Sequence, residues 1–202
     1  MTHKELNVFF EDQFNEHLQV ALKTKNEIFK SFENSVNMCV KAIKNKKKIF
    51  FFGNGGSASD AQHIATELTV RFSKDRTALP AIALTTDTSA LTAIGNDFGF
   101  KYLFSRQIEA LGKEGDVAIG ISTSGKSENV ILALKKAKKL KLKTICFCGR
   151  YKKLITDFSD DIISIPAKNT ARIQEMHITV GQMLCNAIEK DLGLSNYVEI
   201  EK

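Results

Sequence analysis

The chain of 202 residues contains no apolar run approaching membrane-spanning length, no low-complexity tract, no internal repeat and no linker. The first absence excludes a transmembrane helix. The others favour one compact domain, residues 1–202, over a repeat array or a multidomain chain. Cysteine is sparse: Cys39, Cys146, Cys148 and Cys185 form no paired C-x-x-C units. That excludes a zinc ribbon and a disulfide framework, and it fits a reduced, cytoplasmic protein. The opening MTHKELNVFFEDQFNEH alternates charged and apolar residues where a signal peptide has an apolar block, so secretion is not expected.

What the chain does hold is a substantial apolar complement, 43% of residues, enough to build a core. Its formal charge is +6, with lysine concentrated in two runs, 44–48 and 135–143. Both adjoin apolar strand-like segments, where helices and loops meet solvent. A solvated basic surface is therefore the reading, and nucleic acid is not an expected partner. An anionic small substrate would benefit from the same field.

Between residues 4 and 45, Phe10, Phe14, Leu18, Leu22, Phe29, Phe32, Val36, Val40 and Ile43 recur mainly at intervals of three, four and seven. This spacing predicts one extended helix or two consecutive ones. So much apolar face before the first strand also points to packing against another subunit. Beyond it, continuous apolar segments at 48–53, 81–85, 116–122, 144–148 and 161–166 alternate with helix-periodic segments, the last at 170–192. That alternation predicts an α/β fold, a three-layer doubly wound parallel sheet behind a long N-terminal helical region.

Two of those strands end in loops rich in glycine and serine, 53-GNGGSASDAQH-63 and 120-GISTSGKS-127. Glycine lets backbone approach a ligand, and successive N–H groups entering a helix favour an anion. One such loop reads equally well as a capped turn; two in one sheet favour a binding site. The second loop also spells the phosphate loop of nucleotide hydrolases. A hydrolase needs a magnesium-placing Asp at a strand end as well, and only Asp87 stands near such a position. The hydroxyls at Ser122, Thr123, Ser124 and Ser127 suit a single terminal phosphate better, so no nucleotide is expected.

The motifs GNGGSASDAQH, IGNDFGF, GISTSGKS and TARIQEMH, in that order and spacing, resemble the sugar isomerase (SIS) domain family across nearly the whole chain. The likeness is strongest to members that isomerise heptose 7-phosphates. It implies a flavodoxin-like sheet and a homotetramer with active sites at subunit interfaces. It also implies conversion of sedoheptulose 7-phosphate to a manno-configured heptose 7-phosphate, the first step toward activated heptose for bacterial surface polysaccharide. Carried over by motif, the substrate contacts are Asn54, Gly55, Gly56, Ser57, Glu67, Asn96, Asp97, Ser122, Thr123, Ser124, Ser127 and Gln174. The resemblance further implies one zinc ion per subunit at His63, Glu67, Gln174 and Gln182, with Glu67 the catalytic base and Asp97 a residue positioning a sugar hydroxyl.

Moving a carbonyl from C2 to C1 requires a group that removes a proton and groups that manage charge on the oxygens. His63 and Glu67, four residues apart, share a helix face, and Gln174 and Gln182, eight apart, share another. A surface ion pair and a polar helix face are the competing readings. The sequence departs from the family at Gln182, where the isomerases usually carry His. An amide cannot exchange a proton near neutral pH and is a poor zinc ligand. Three courses follow. Metal is held weakly through His63, Glu67 and Gln174; Glu67 carries all proton transfer; or His177 substitutes. A non-catalytic SIS protein is the alternative, either a scaffold for the replication initiator DnaA or a sugar-phosphate sensor. Retention of Glu67 favours the enzyme.

Overall fold

The computed structural model describes residues 1–194. The N-terminal apolar stripe forms two helices, α1 (His3–Glu27) and α2 (Phe29–Lys44), which meet at Ile28. A capping box opens α1: the Thr2 hydroxyl accepts from the Glu5 amide while the Glu5 carboxylate accepts from the Thr2 amide. Five parallel strands follow, β1 (Ile49–Gly53), β2 (Ala81–Ala83), β3 (Val117–Ser122), β4 (Lys143–Cys148) and β5 (Asp161–Ser164), in the order β2-β1-β3-β4-β5. Intervening helices are α3 (Gly56–Thr69), α4 (Thr88–Asp97), α5 (Leu103–Leu111) and α6 (Glu128–Lys139), and α7 (Thr170–Asp191) closes the fold.

The apolar run of β1 explains the three layers. Side chains alternate along a strand, so Ile49 and Phe51 join a core built with α2, α3 and α7, while Phe50 and Phe52 join a second core with α5 and α6. All four are fully buried, each contributing about 1.5–3 kcal/mol by burial. The expected doubly wound sheet is thus present. A single turn of 3-10 helix, Thr156–Phe158, leads into β5.

The strand order places the topological switch between β1 and β3. Their register pairs Gly53 with Ile121, so both glycine–serine loops leave the sheet side by side. A crevice at this position is where open α/β sheets bind ligands. The four cysteines are free and buried, and among the described residues no helix is long and apolar enough to cross a membrane.

Candidate active site

The first loop is shaped by close approaches. A Cβ at Gly53 would stand 2.7 Å from the Ile121 carbonyl and 2.8 Å from Ser57 Cβ. Gly55 holds a φ of 56°, which only glycine adopts without strain. At Gly56 a Cβ would fall within the side-chain amide of Gln174. Glycine here therefore lets α7 lay Gln174 over the start of α3. Ser57 is buried in the first turn, its amide donating to the Asn54 carbonyl at 3.0 Å.

The second loop is held by its own hydroxyls. Ser122 Oγ donates to Ser127 Oγ at 2.9 Å, the Lys126 amide donates to Ser124 Oγ at 3.2 Å, and the Gly149 amide donates to the Thr123 carbonyl at 3.1 Å. Ser127 caps α6 without a side-chain bond to its amides, which leaves that helix N-terminus open to an anion. The two loops are tied by a residue that sequence reasoning missed. Asn54 Nδ2 donates to Asn129 Oδ1 at 2.9 Å, and Asn129 Nδ2 donates back to Asn54 Oδ1 at 2.7 Å. Asn129 is buried. Its only sequence signal was an amide in the first turn of a helix, too common a feature to single out. The Asn54 side chain, expected at the substrate, is here committed to this pairing.

Beside the loops, α3 and α7 converge. His63 Nε2 lies 3.0 Å from Glu67 Oε1, and Gln182 Nε2 lies 3.4 Å from the same ring nitrogen. His63 is half exposed and Glu67 largely covered, with 47% and 22% of their side chains accessible. The two helices approach this closely because α7 has Gly181 at the contact, where a Cβ would collide with Ile64. Asp60, one turn before His63, is a second residue missed. It is buried, and its Oδ2 has no hydrogen-bond partner among the described residues. Burial pushes its carboxyl up to about 6, and a hydrogen bond from the Gln174 side chain and the nearby His63 oppose that rise.

Three expectations meet a different outcome in place or role. Asn96 and Asp97, expected at the substrate, lie in the last turn of α4. The helix continues because the Phe98 amide bonds the Ile94 carbonyl, and it ends at Gly99, whose φ is 96°. Both side chains are exposed and bond each other at 2.8 Å; among the described residues neither bonds the His63–Glu67 pair. Asp87 caps α4, accepting from the Ala90 amide at 3.0 Å, which spends the one carboxylate considered for magnesium. His177 is fully buried against Phe147, ring centroids 5.9 Å apart, on the sheet side of α7. Burial pushes it down to about 4, so it is a neutral core imidazole and does not stand in for Gln182.

His63, Glu67, Gln174 and Gln182 supply one imidazole, one carboxylate and two amides, and the first two are bonded to each other. Among the described residues no three His, Cys, Asp or Glu side chains gather to hold a metal. Zinc sites are made from Cys, His and carboxylate donors, usually three or four. This set does not fit a resident zinc ion.

Two hydroxyl-bearing loops that leave the sheet side by side at its switch point, with a carboxylate–imidazole pair on the helix after the first, mark an α/β protein suited to a small anionic ligand. The SIS domain family model matches residues 10–149. The chain is 52% identical over 180 residues to the phosphoheptose isomerase of Nitratiruptor sp., covering 89% of this chain and 96% of that one. It is 50% identical to the Aquifex aeolicus phosphoheptose isomerase, covering 88% and 93%. Among solved structures, the phosphoheptose isomerase of Neisseria gonorrhoeae superposes with a TM-score of 0.86 at 40% identity, covering 92% of this chain and 99% of that one. The chain belongs to the SIS domain family, on its phosphoheptose isomerase branch.

Proposed function

We infer that this protein is a phosphoheptose isomerase, an aldose–ketose isomerase interconverting sedoheptulose 7-phosphate and D-glycero-D-manno-heptose 7-phosphate in heptose biosynthesis. The observation that carries the reading is the position of Glu67. It is largely covered, on α3, held toward His63, and α3 itself springs from the first glycine loop. The Ser122–Ser127 loop takes the terminal phosphate through hydroxyls and the α6 N-terminus. Glu67 removes a proton from C1 of the ketose, the C1–H electron pair forms the C1–C2 double bond and the carbonyl pair moves onto O2, the O1 hydroxyl proton passes to O2 within the enediolate, and the protonated carboxyl returns its proton to C2 as the carbonyl forms at C1. His63, hydrogen-bonded to Glu67, orients the carboxylate. The amides of Gln174 and Gln182 offer N–H donors and carbonyl acceptors to the sugar oxygens while charge moves across them. Of the three courses open at Gln182, the donor set favours proton transfer by Glu67 without a resident metal.

The working unit is proposed to be a cytoplasmic homotetramer whose sites are completed across subunit interfaces. Leu6, Phe9, Phe10, Phe14, Leu18 and Leu22 lie along α1, each more than half exposed, a face that a soluble monomer rarely leaves uncovered. Exposed Asn96 and Asp97 are then available to a neighbouring subunit's substrate. The test is proton NMR with sedoheptulose 7-phosphate in D₂O, with chelator and with added zinc. An aldose anomeric signal or deuterium at C1 in the chelated sample supports the reading. Binding of the sugar phosphate with no exchange in either sample replaces it with the sensor.

A further inference from the structure

We propose that Arg76 is the positioning residue of this site, a buried clamp that fixes Glu67 through the main chain of α3 and anchors it to α7. Its guanidinium is 2% accessible and that of its partner carboxylate, Glu189 on α7, 1%. Nε donates to Glu189 Oε1 at 2.5 Å, Nη2 donates to the carbonyl of Glu67 itself at 2.8 Å, and Nη1 donates to the carbonyls of Leu68 and Thr77 at 2.9 and 3.0 Å. Glu189 Oε1 also accepts from the Phe72 amide at 3.0 Å.

The chemistry of this arrangement exceeds that of an ordinary ion pair. The last carbonyls of a helix lack intrahelical donors, and those of α3 begin at the residue that carries the base. Two of the four N–H groups used on Arg76 satisfy these carbonyls, and a cation at a helix C-terminus opposes the helix dipole. The planar fork holds them at fixed angles, which a lysine ammonium cannot reproduce. Through Glu189 the same group is bound to the helix that supplies Gln174 and Gln182. The two halves of the site are thereby held in register from the C-terminal end of α3. An error of about 1 Å in such a placement costs on the order of a hundredfold in rate.

A structural role alone would be exchangeable for apolar packing, because buried ion pairs are often replaced by hydrophobic side chains without loss of stability. That difference supplies the test, on the full chain. Arg76→Met leaves Glu189 buried and unpaired, and both Tm and kcat are expected to fall. In Arg76→Met/Glu189→Met, Tm is expected to recover only in part, because the Glu67, Leu68 and Thr77 carbonyls and the Phe72 amide lose these partners, while kcat stays at least tenfold low and KM for sedoheptulose 7-phosphate stays within twofold. Recovery of kcat together with Tm overturns the proposal. Should Arg76→Met fail to fold, Arg76→Lys keeps the charge against Glu189 but not the fork, and wild-type kcat in that variant overturns the proposal equally. The inference rests on the isomerase reading, so amide exchange across Thr66–Val70 is followed in parallel. Faster exchange there in Arg76→Lys supports the clamp even if the wild-type chain proves inactive, whereas unchanged exchange refutes it.

Discussion

Two perturbed titrating groups buried on α7 and α3 predict an acid response that is concealed in the wild-type protein. His177 is lowered from 6.5 to about 4 by burial, and Asp60 is raised from 3.8 to about 6, also chiefly by burial. For the imidazole, the unfolded chain binds the proton more readily than the fold. Its contribution is therefore whole above pH 6.5 and is lost as pH falls toward 4, about 3 kcal/mol in all. For the carboxyl the sign reverses: the fold binds the proton more readily, so its burial costs stability above pH 6 and that cost is relieved as pH falls toward 3.8, again up to about 3 kcal/mol. The two nearly cancel between pH 6 and 4. Asp60→Asn removes one of them. Urea melts of that variant at pH 7, 6, 5 and 4 should show about 2–3 kcal/mol more stability lost on acidification than wild type loses. His177→Phe, beside Phe147, should show the opposite, a fold that loses less than wild type on acidification. Parallel pH profiles for wild type and both variants would refute the argument.

Glu67→Gln should lower kcat by about 10²–10⁴ while sugar-phosphate binding by calorimetry persists, since it removes the base and keeps the shape. Chelator treatment should leave turnover within twofold, with zinc far below one ion per chain by elemental analysis; abolished turnover restored by zinc would reverse the donor-set argument. Lys126→Met should change kcat/KM by less than about threefold, because the ammonium lies 4.6 Å from the Tyr151 ring centroid, a cation–π contact worth about 0.5–1 kcal/mol at exposed sites. A large loss would place Lys126 on the phosphate. Gly181→Ala should cost about 1–3 kcal/mol in a denaturant melt, as its methyl meets the fully buried Ile64.

The fold was legible because its signals are local and repeated. The run IFFFG can be buried on both faces only in a covered sheet, and the stripe from Phe10 to Ile43 needed only a break, which falls at Ile28. The loops were legible because glycine and serine at a strand end have few other uses in pairs. Asn129, Asp60 and Arg76 were not, for one physical reason. Each acts through a partner far away in sequence, Asn54 at 75 residues, Gln174 on another helix, and Glu189 at 113. Periodicity cannot register such pairings. Asn96 and Asp97 end α4 because the Phe98 amide bonds the Ile94 carbonyl, a main-chain bond that no residue type in Asn-Asp-Phe-Gly signals.

The two glycines along the contact between α3 and α7 act in different ways. At Gly181 a methyl would strike Ile64, which is enclosed and cannot yield, so the cost appears as stability. At Gly56 a methyl would strike the end of the Gln174 side chain, which is flexible and half-buried and can swing aside. Gly56→Ala is therefore expected to melt close to wild type, because a helix-start alanine is no worse than glycine there. Its Gln174 amide leaves Asp60 and the mouth of the site, so kcat should fall at least tenfold. Crystallography or amide-proton NMR of the Gln174 side chain would follow the displacement. A variant that keeps both the displaced amide and full turnover would remove Gln174 from the reaction and leave the work to Glu67, gripped by Arg76 from behind, with His63 and Gln182 beside it.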